Sequence, residues 1–151
     1  MSEDQQQPLF AIEKVYVKDL SLEIPHAPEI FLERETPQID VGLHTEGKSI
    51  DEGVYEVILT VTVTAKFAEK TLFLVEVKQS GIFRIQNVPS GDLDPILGIT
   101  CPNILFPYVR ETVSDVVTRA GFLPVILSPM SFEALYQQRL QAQAEQEKQA
   151  H

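Results

Sequence analysis

Few side chains in this sequence stand where they could do covalent or acid–base chemistry. Cys101 is the single cysteine, and it precedes a helical pattern whose N-terminal dipole could lower a thiol pKa. No His or Asp stands at a patterned distance from it, so the residues allow either a reactive thiol or a plain buried one. The three histidines, His26, His44 and His151, share no metal-ligand spacing with the cysteine or with one another. Asp19 and Glu23 form a different pattern: two carboxylates on one side of a strand candidate, roughly 13 Å apart. That is too far to share a proton. It suits a docking surface or a solvated outer face. No Walker loop, dinucleotide fingerprint, nucleophile elbow or kinase motif occurs. The residues point away from an enzyme, and they imply no cofactor and no metal.

The elements that must carry these residues are organised around a long hairpin. Tyr55, Val57, Leu59, Val61, Val63, Ala65 and Phe67 alternate with Glu56, Thr60, Thr62, Thr64 and Lys66, the period of a strand. After the turn Ala68-Glu69-Lys70, Phe73, Val75, Val77, Phe83 and Ile85 take one face, and Leu72, Leu74, Glu76, Lys78 and Ser80 the other. Strands of this length span roughly 45 Å, whereas a chain of this size has a radius of gyration of about 15 Å. The sheet outruns what one small domain can bury, which predicts an oligomer or a binding platform. Gly81 marks a bulge or a close backbone approach in the second strand.

Upstream, residues 1–8 read as a disordered leader, and Phe10–Ile24 as a strand with Phe10, Ile12, Tyr16, Leu20, Leu22 and Ile24 on one face and Asp19, Ser21 and Glu23 on the other. Prolines break up residues 25–38, where Ile30, Phe31 and Leu32 could tether the connection to the core or form the lip of a groove. Ile39, Val41 and Leu43 mark a shorter strand, with turns expected at Glu46-Gly47-Lys48 and Asp51-Glu52-Gly53. Downstream, Asn87 to Pro95 reads as a turn-rich exit. Asn103 is the expected N-cap of a helix carrying Leu105, Val109, Val113, Val116 and Val117 and ending at Gly121. Ser131 caps a last helix with Phe132, Leu135, Tyr136 and Leu140 on its apolar face, and residues 141–151 read as a flexible polar tail. The expected fold is α+β: a four-stranded antiparallel sheet with two C-terminal helices on one face, in a single domain over residues 9–140.

A length of 151 residues and a hydrophobic content of 44% suit one folded domain with a usable core. The net charge of -10 disfavours nucleic acid and favours a basic partner. No apolar run approaches the length of a membrane span, and the acidic N-terminus lacks the pattern of an export signal, so a cytosolic protein is expected.

Lys18-Asp19-Leu20-Ser21-Leu22-Glu23 and Cys101-Pro102-Asn103-Ile104-Leu105-Phe106-Pro107-Tyr108 resemble the SecB family of cytosolic, tetrameric protein-export chaperones. Val54-Tyr55-Glu56-Val57, Val61-Thr62-Val63-Thr64-Ala65 and Gln79-Ser80-Gly81-Ile82-Phe83 resemble its central hairpin, and the likeness runs from about Phe10 to Tyr136. The resemblance implies a homotetramer built as a dimer of dimers, which holds unfolded precursor proteins without ATP and delivers them to the SecA motor. It assigns docking of the basic, zinc-bearing C-terminal segment of SecA to Asp19, Glu23, Leu74 and Glu76. It assigns oligomer contacts to Val75, Val77 and Gln79, and a client groove to Phe31, Ile39, Val41, Leu43, Phe132 and Tyr136. Glu35 stands where many members have a tryptophan, so an aromatic contact near the groove must be absent or replaced. The alternatives are a SecB-like general or antitoxin-associated chaperone, a carrier of a small apolar ligand, and an enzyme using Cys101.

Overall fold

Alternation at Val54 to Phe67 and again from Lys70 produces the two central strands of a four-stranded sheet. In a computed structural model that describes residues 7–150, the strands are Leu9–Glu23 (β1), Gln38–Asp51 (β2), Val54–Phe67 (β3) and Lys70–Gln86 (β4). Their spatial order is β1-β4-β3-β2, with every neighbouring pair antiparallel. The hairpin therefore forms the centre, and β1 and β2 are the edges. On its dry face Val57, Leu59, Val61 and Val63 meet Gly81, Gln79, Val77 and Val75 in register. These side chains, with Phe73, Phe83 and Ile85, make one wall of the core.

The other wall is helical, and it begins earlier than the sequence suggests. Ser90–Pro95 (α1) leads through a π-helical turn, Ile96–Thr100, into Cys101–Arg119 (α2). The run that reads as turn-rich is helical because the wide turn accommodates what prolines remove. Cys101 N–H reaches back to the Ile96 carbonyl, five residues away. Asn103 thus lies inside α2 rather than capping it. Leu105, Val109, Val113 and Val117 are fully buried against the sheet, so the spacing of three and four residues does its expected work. The last helix, Phe132–Ala150 (α3), starts as expected, with Ala134 N–H donating to Ser131 Oγ at 3.1 Å. Its apolar contacts end near Leu140, yet the helix continues through the residues expected to form a loose tail. Ala, Gln and Glu favour helix even when fully exposed.

Two further departures follow from register. The strand β2 does not turn at Glu46-Gly47-Lys48. It pairs with β3 through Asp51, and only Asp51-Glu52-Gly53 reverses the chain, with Gly53 at φ 69°. Tyr16 lies on the outer face with Ser80, not on the apolar face, because β1 carries two bulges. In the proline-rich connection, Glu29–Leu32 forms one 3-10 turn that buries Ile30 and leaves Phe31 and Leu32 outside. Residues 1–6 of the expected leader and His151 lie outside the described residues.

Gly81 proves to be a close approach rather than a bulge, since β4 pairs through it without a shift. A Cβ there would stand 2.7 Å from the Phe83 ring and 3.1 Å from Leu105, both fully buried. Gly81→Ala is therefore expected to lower stability by about 1–3 kcal/mol through overpacking, read as a fall in the urea midpoint. A variant as stable as the parent would show that the β4–α2 contact has slack.

Candidate functional site

The outer face of β1 and β4 gathers the predicted docking residues. Glu23 is paired with Leu74, Ser21 with Glu76 and Asp19 with Lys78, so all four residues of the set share one face of two adjacent strands. Directly opposed residues in antiparallel strands lie about 4.5–5.5 Å apart. The face therefore carries Glu23 and Glu76 beside an apolar Leu74, with Asp19 further along it and opposite Lys78. Val75, Val77 and Gln79 fall on the inner side and are 0%, 0% and 2% exposed. Within the protomer Val75 and Val77 belong to the core, and Gln79 is buried beside them.

One charged group on the outer face was not foreseen as special. Glu56 sits among the polar residues of β3, yet it is only 4% exposed. Tyr16 Oη donates to its Oε2 at 2.5 Å, Lys18 Nζ to both oxygens at 3.1 and 3.0 Å, and Lys48 Nζ lies 3.5 Å from Oε1. Burial opposes the carboxylate charge, but the hydrogen bonds from Tyr16 and Lys18 and the two ammonium charges outweigh it and hold the Glu56 pKa below 4.5. Burial and the same contact raise Tyr16. The pattern of alternation could not reveal this, because Glu56 looks like any other outward polar residue.

The groove residues fall into two groups. Leu43, Phe132 and Tyr136 line one cleft of about 230 Å³ with Leu135 and Arg139, between β2 and α3. Tyr136 Oη donates to Asp94 at 2.7 Å, and the Arg139 guanidinium lies 5.4 Å from the Tyr136 ring centre. Gly98 admits this ring, since a Cβ there would stand 2.8 Å from Tyr136 Cδ1. A glycine within an apolar helical run was the available signal for that contact. Phe31 lies apart, stacked on Phe122 at 5.2 Å, which in turn meets Phe73 at 4.9 Å. Ile39 and Val41 connect the two groups along the partly exposed inner side of β2, where Ile39 opposes Ala65. Glu35, in the bend before β2, is exposed.

Cys101 is fully buried in the core, and burial pushes its thiol up to about 12. Burial thus favours the neutral thiol over the thiolate. Among the described residues no group of three or more His, Cys, Asp or Glu is placed to hold a metal ion. A cleft of about 530 Å³ is lined by Glu52, Gln86, Asn87 and Ser90 together with Tyr55, Ile85, Val88 and Leu93, a mixed rather than an apolar lining. No described helix is long and apolar enough to cross a membrane.

An antiparallel sheet with an acidic outer face and a partly exposed apolar border offers surfaces that suit the binding of another polypeptide. The family model described as SecB, preprotein translocase subunit SecB, matches residues 3–143. The chain belongs to the SecB family of protein-export chaperones, a chaperone family rather than an enzyme class. It is 65% identical over 142 residues to the protein-export protein SecB of Dechloromonas aromatica, covering 94% of this chain and 93% of that one. It is 64% identical over 146 residues to that of Chromobacterium violaceum, covering 96% and 97%. Among solved structures, a SecB-like chaperone of Mycobacterium tuberculosis in complex with a ChAD peptide from the HigA1 antitoxin shares the fold. Its TM-score is 0.68 at 16% identity, over 81% of this chain and 91% of that one.

Two outcomes are expected. Native protein should leave Cys101 unreacted with a chromogenic disulfide reagent at neutral pH, and unfolding should release a full equivalent; rapid native labelling would revive a chemical role for the thiol. Glu56, with its lowered pKa, contributes stability that is complete above 4.5 and lost as pH falls through the folded value. Urea midpoints of Glu56→Gln should consequently fall less steeply below pH 4.5 than those of the parent; parallel profiles would mean that the carboxylate is not held charged by its partners.

Proposed function

We propose that this protein is an ATP-independent cytosolic holdase that keeps unfolded precursors translocation-competent and passes them to SecA. The observation that carries the reading is the register of β1 on β4, which brings Asp19, Glu23, Leu74 and Glu76 onto one outer face. Three carboxylates on the same face as one leucine complement a basic segment that also offers an apolar contact, as the zinc-bearing C-terminal segment of SecA would. The overall charge of -10 favours encounter with such a partner.

Client holding rests on the apolar border. Phe31, Ile39, Val41, Leu43, Phe132 and Tyr136 follow the inner side of β2 from the Phe31–Phe122 stack to the cleft against α3. Burial of client side chains there gains about 25 cal/mol per Å² with no directional demand, which suits many sequences. The buried Phe132 and Tyr136 form the floor, while Phe31, Ile39 and Val41 present free surface.

The working form is a dimer of dimers. Support comes from the edge strand β1, whose core-side residues Phe10, Ile12, Val17, Leu20 and Leu22 are all left substantially exposed by the protomer's helices. A strand edge with an uncovered apolar row favours pairing with a second copy. Val75, Val77 and Gln79 would influence assembly through the packing beneath α2 rather than by touching a partner. A second reading, an antitoxin-associated chaperone, draws on the mycobacterial fold relative and its bound peptide. The much closer relatives named for protein export favour the first.

Asp19→Ala combined with Glu76→Ala is expected to abolish binding of the zinc-loaded SecA C-terminal peptide in calorimetry, while tetramer mass and unfolded-client binding persist. Normal peptide binding by the double variant would place docking elsewhere. A parent protein that holds clients but ignores the peptide would leave a holdase without the export role.

A further inference from the structure

The strand β1 reverses the phase of its side chains twice. As far as Ile12, opposite Phe83, its even positions face the core. Glu13 is an extra residue, and after it Val15 and Val17 face inward, opposite Gly81 and Gln79. Lys18 is a second extra residue, beyond which Leu20 and Leu22 oppose Val77 and Val75 while Asp19, Ser21 and Glu23 emerge outside. Each bulge carries every later side chain to the other face. Without the bulge at Lys18, Asp19 and Glu23 would lie over Val77 and Phe73, and Leu20 and Leu22 would point outward.

Hydrophobic burial enforces this choice weakly within the protomer. Leu20 and Leu22 remain 45% and 38% exposed even in the observed register. Polar contacts supply what burial does not. Lys18, the bulged residue itself, and Tyr16, just before it, both reach over β4 to the carboxylate of Glu56 on β3. The small Ser80, opposite Tyr16 on the intervening strand, leaves room for that reach. From the inner side Gln79 Nε2 donates to the Tyr16 carbonyl at 3.1 Å, and Lys48 on β2 completes the cage around Glu56. The bulge is thus tied across all four strands.

We infer that Glu56, gripping Lys18 and Tyr16, is a register lock that decides on which face of the sheet Asp19 and Glu23 stand. It is a positioning residue for the docking face proposed above, on which this inference rests. Glu56 itself is too buried to meet a partner. Its effect on docking passes through the phase of β1.

The test uses the intact protein, the zinc-loaded SecA C-terminal peptide as probe, and methyl NMR of leucine and valine to read the Leu20–Val77 contact. Lys18→Met and Glu56→Gln are expected to weaken peptide binding about fivefold or more, in proportion to the fraction of β1 left in the competent register. The Leu20–Val77 cross-peak should fade in parallel, with unfolded-client binding unchanged. Lys18→Arg, which can still reach Glu56, should retain both signals. Should Glu56→Gln fold poorly, the partly exposed Lys18→Met decides alone. The lock is overturned if Lys18→Met keeps the Leu20–Val77 contact, whether or not peptide affinity falls. If the contact fades but peptide binding is insensitive both to this variant and to Asp19→Ala with Glu76→Ala, the lock stands and the docking reading fails.

Discussion

Side chains on a strand point alternately to its two faces, and this single constraint governs the protein. Each strand must divide its residues between a core row and an outer row, and the register between strands decides which rows meet. In the β3–β4 hairpin the division is clean. Val57, Leu59, Val61, Val63, Val75 and Val77 go inward and form the floor on which α2 lies. Their opposite neighbours, among them Thr60, Thr62 and Glu76, are left facing outward. A core and a polar outer face thus arise from the same backbone, one residue apart.

The edges of the sheet obey the same rule with less cover. Helix α2 packs over the centre, so the inward rows of β1 and β2 are only partly hidden. In an ordinary monomer such uncovered apolar rows would be a liability. Under the function proposed above they would be the working surface, with a partner strand or an unfolded client supplying the missing cover. The same hydrophobic effect that drives α2 onto the sheet would thereby hold the client, with strength set by area rather than by sequence.

Acidic residues illustrate how context divides one residue type into two roles. Asp19, Glu23 and Glu76 are carboxylates on the outer face of β1 and β4, available to a basic partner. Glu56, on the same side of the sheet, is enclosed by Tyr16, Lys18 and Lys48 and serves the protein's own architecture. Burying a charge is costly unless it is paired and hydrogen-bonded, and Glu56 has both kinds of partner.

Much of this was present in the one-dimensional pattern. Period two over Tyr55–Phe67 and again from Phe73 determined the hairpin and its dry face, because local alternation is a property of the strand itself. Spacing of three and four residues likewise determined the buried face of α2, and Ser131 the start of α3. The acidic set could be placed on strand faces by counting, and the Cys101–Tyr108 run carried the family likeness. Tertiary structure alone decided the features that depend on a distant partner. The run from Ser90 to Thr100 is helical in spite of Pro95, through a π-helical turn, Gly47 continued a strand because β3 lay beside it, and Val75, Val77 and Gln79 are buried within the protomer. The two bulges of β1 and the enclosure of Glu56 exist only once residues forty positions apart meet across the sheet. Alternation reports the phase of an isolated strand, whereas the insertion of an extra residue is settled by the neighbours it pairs with.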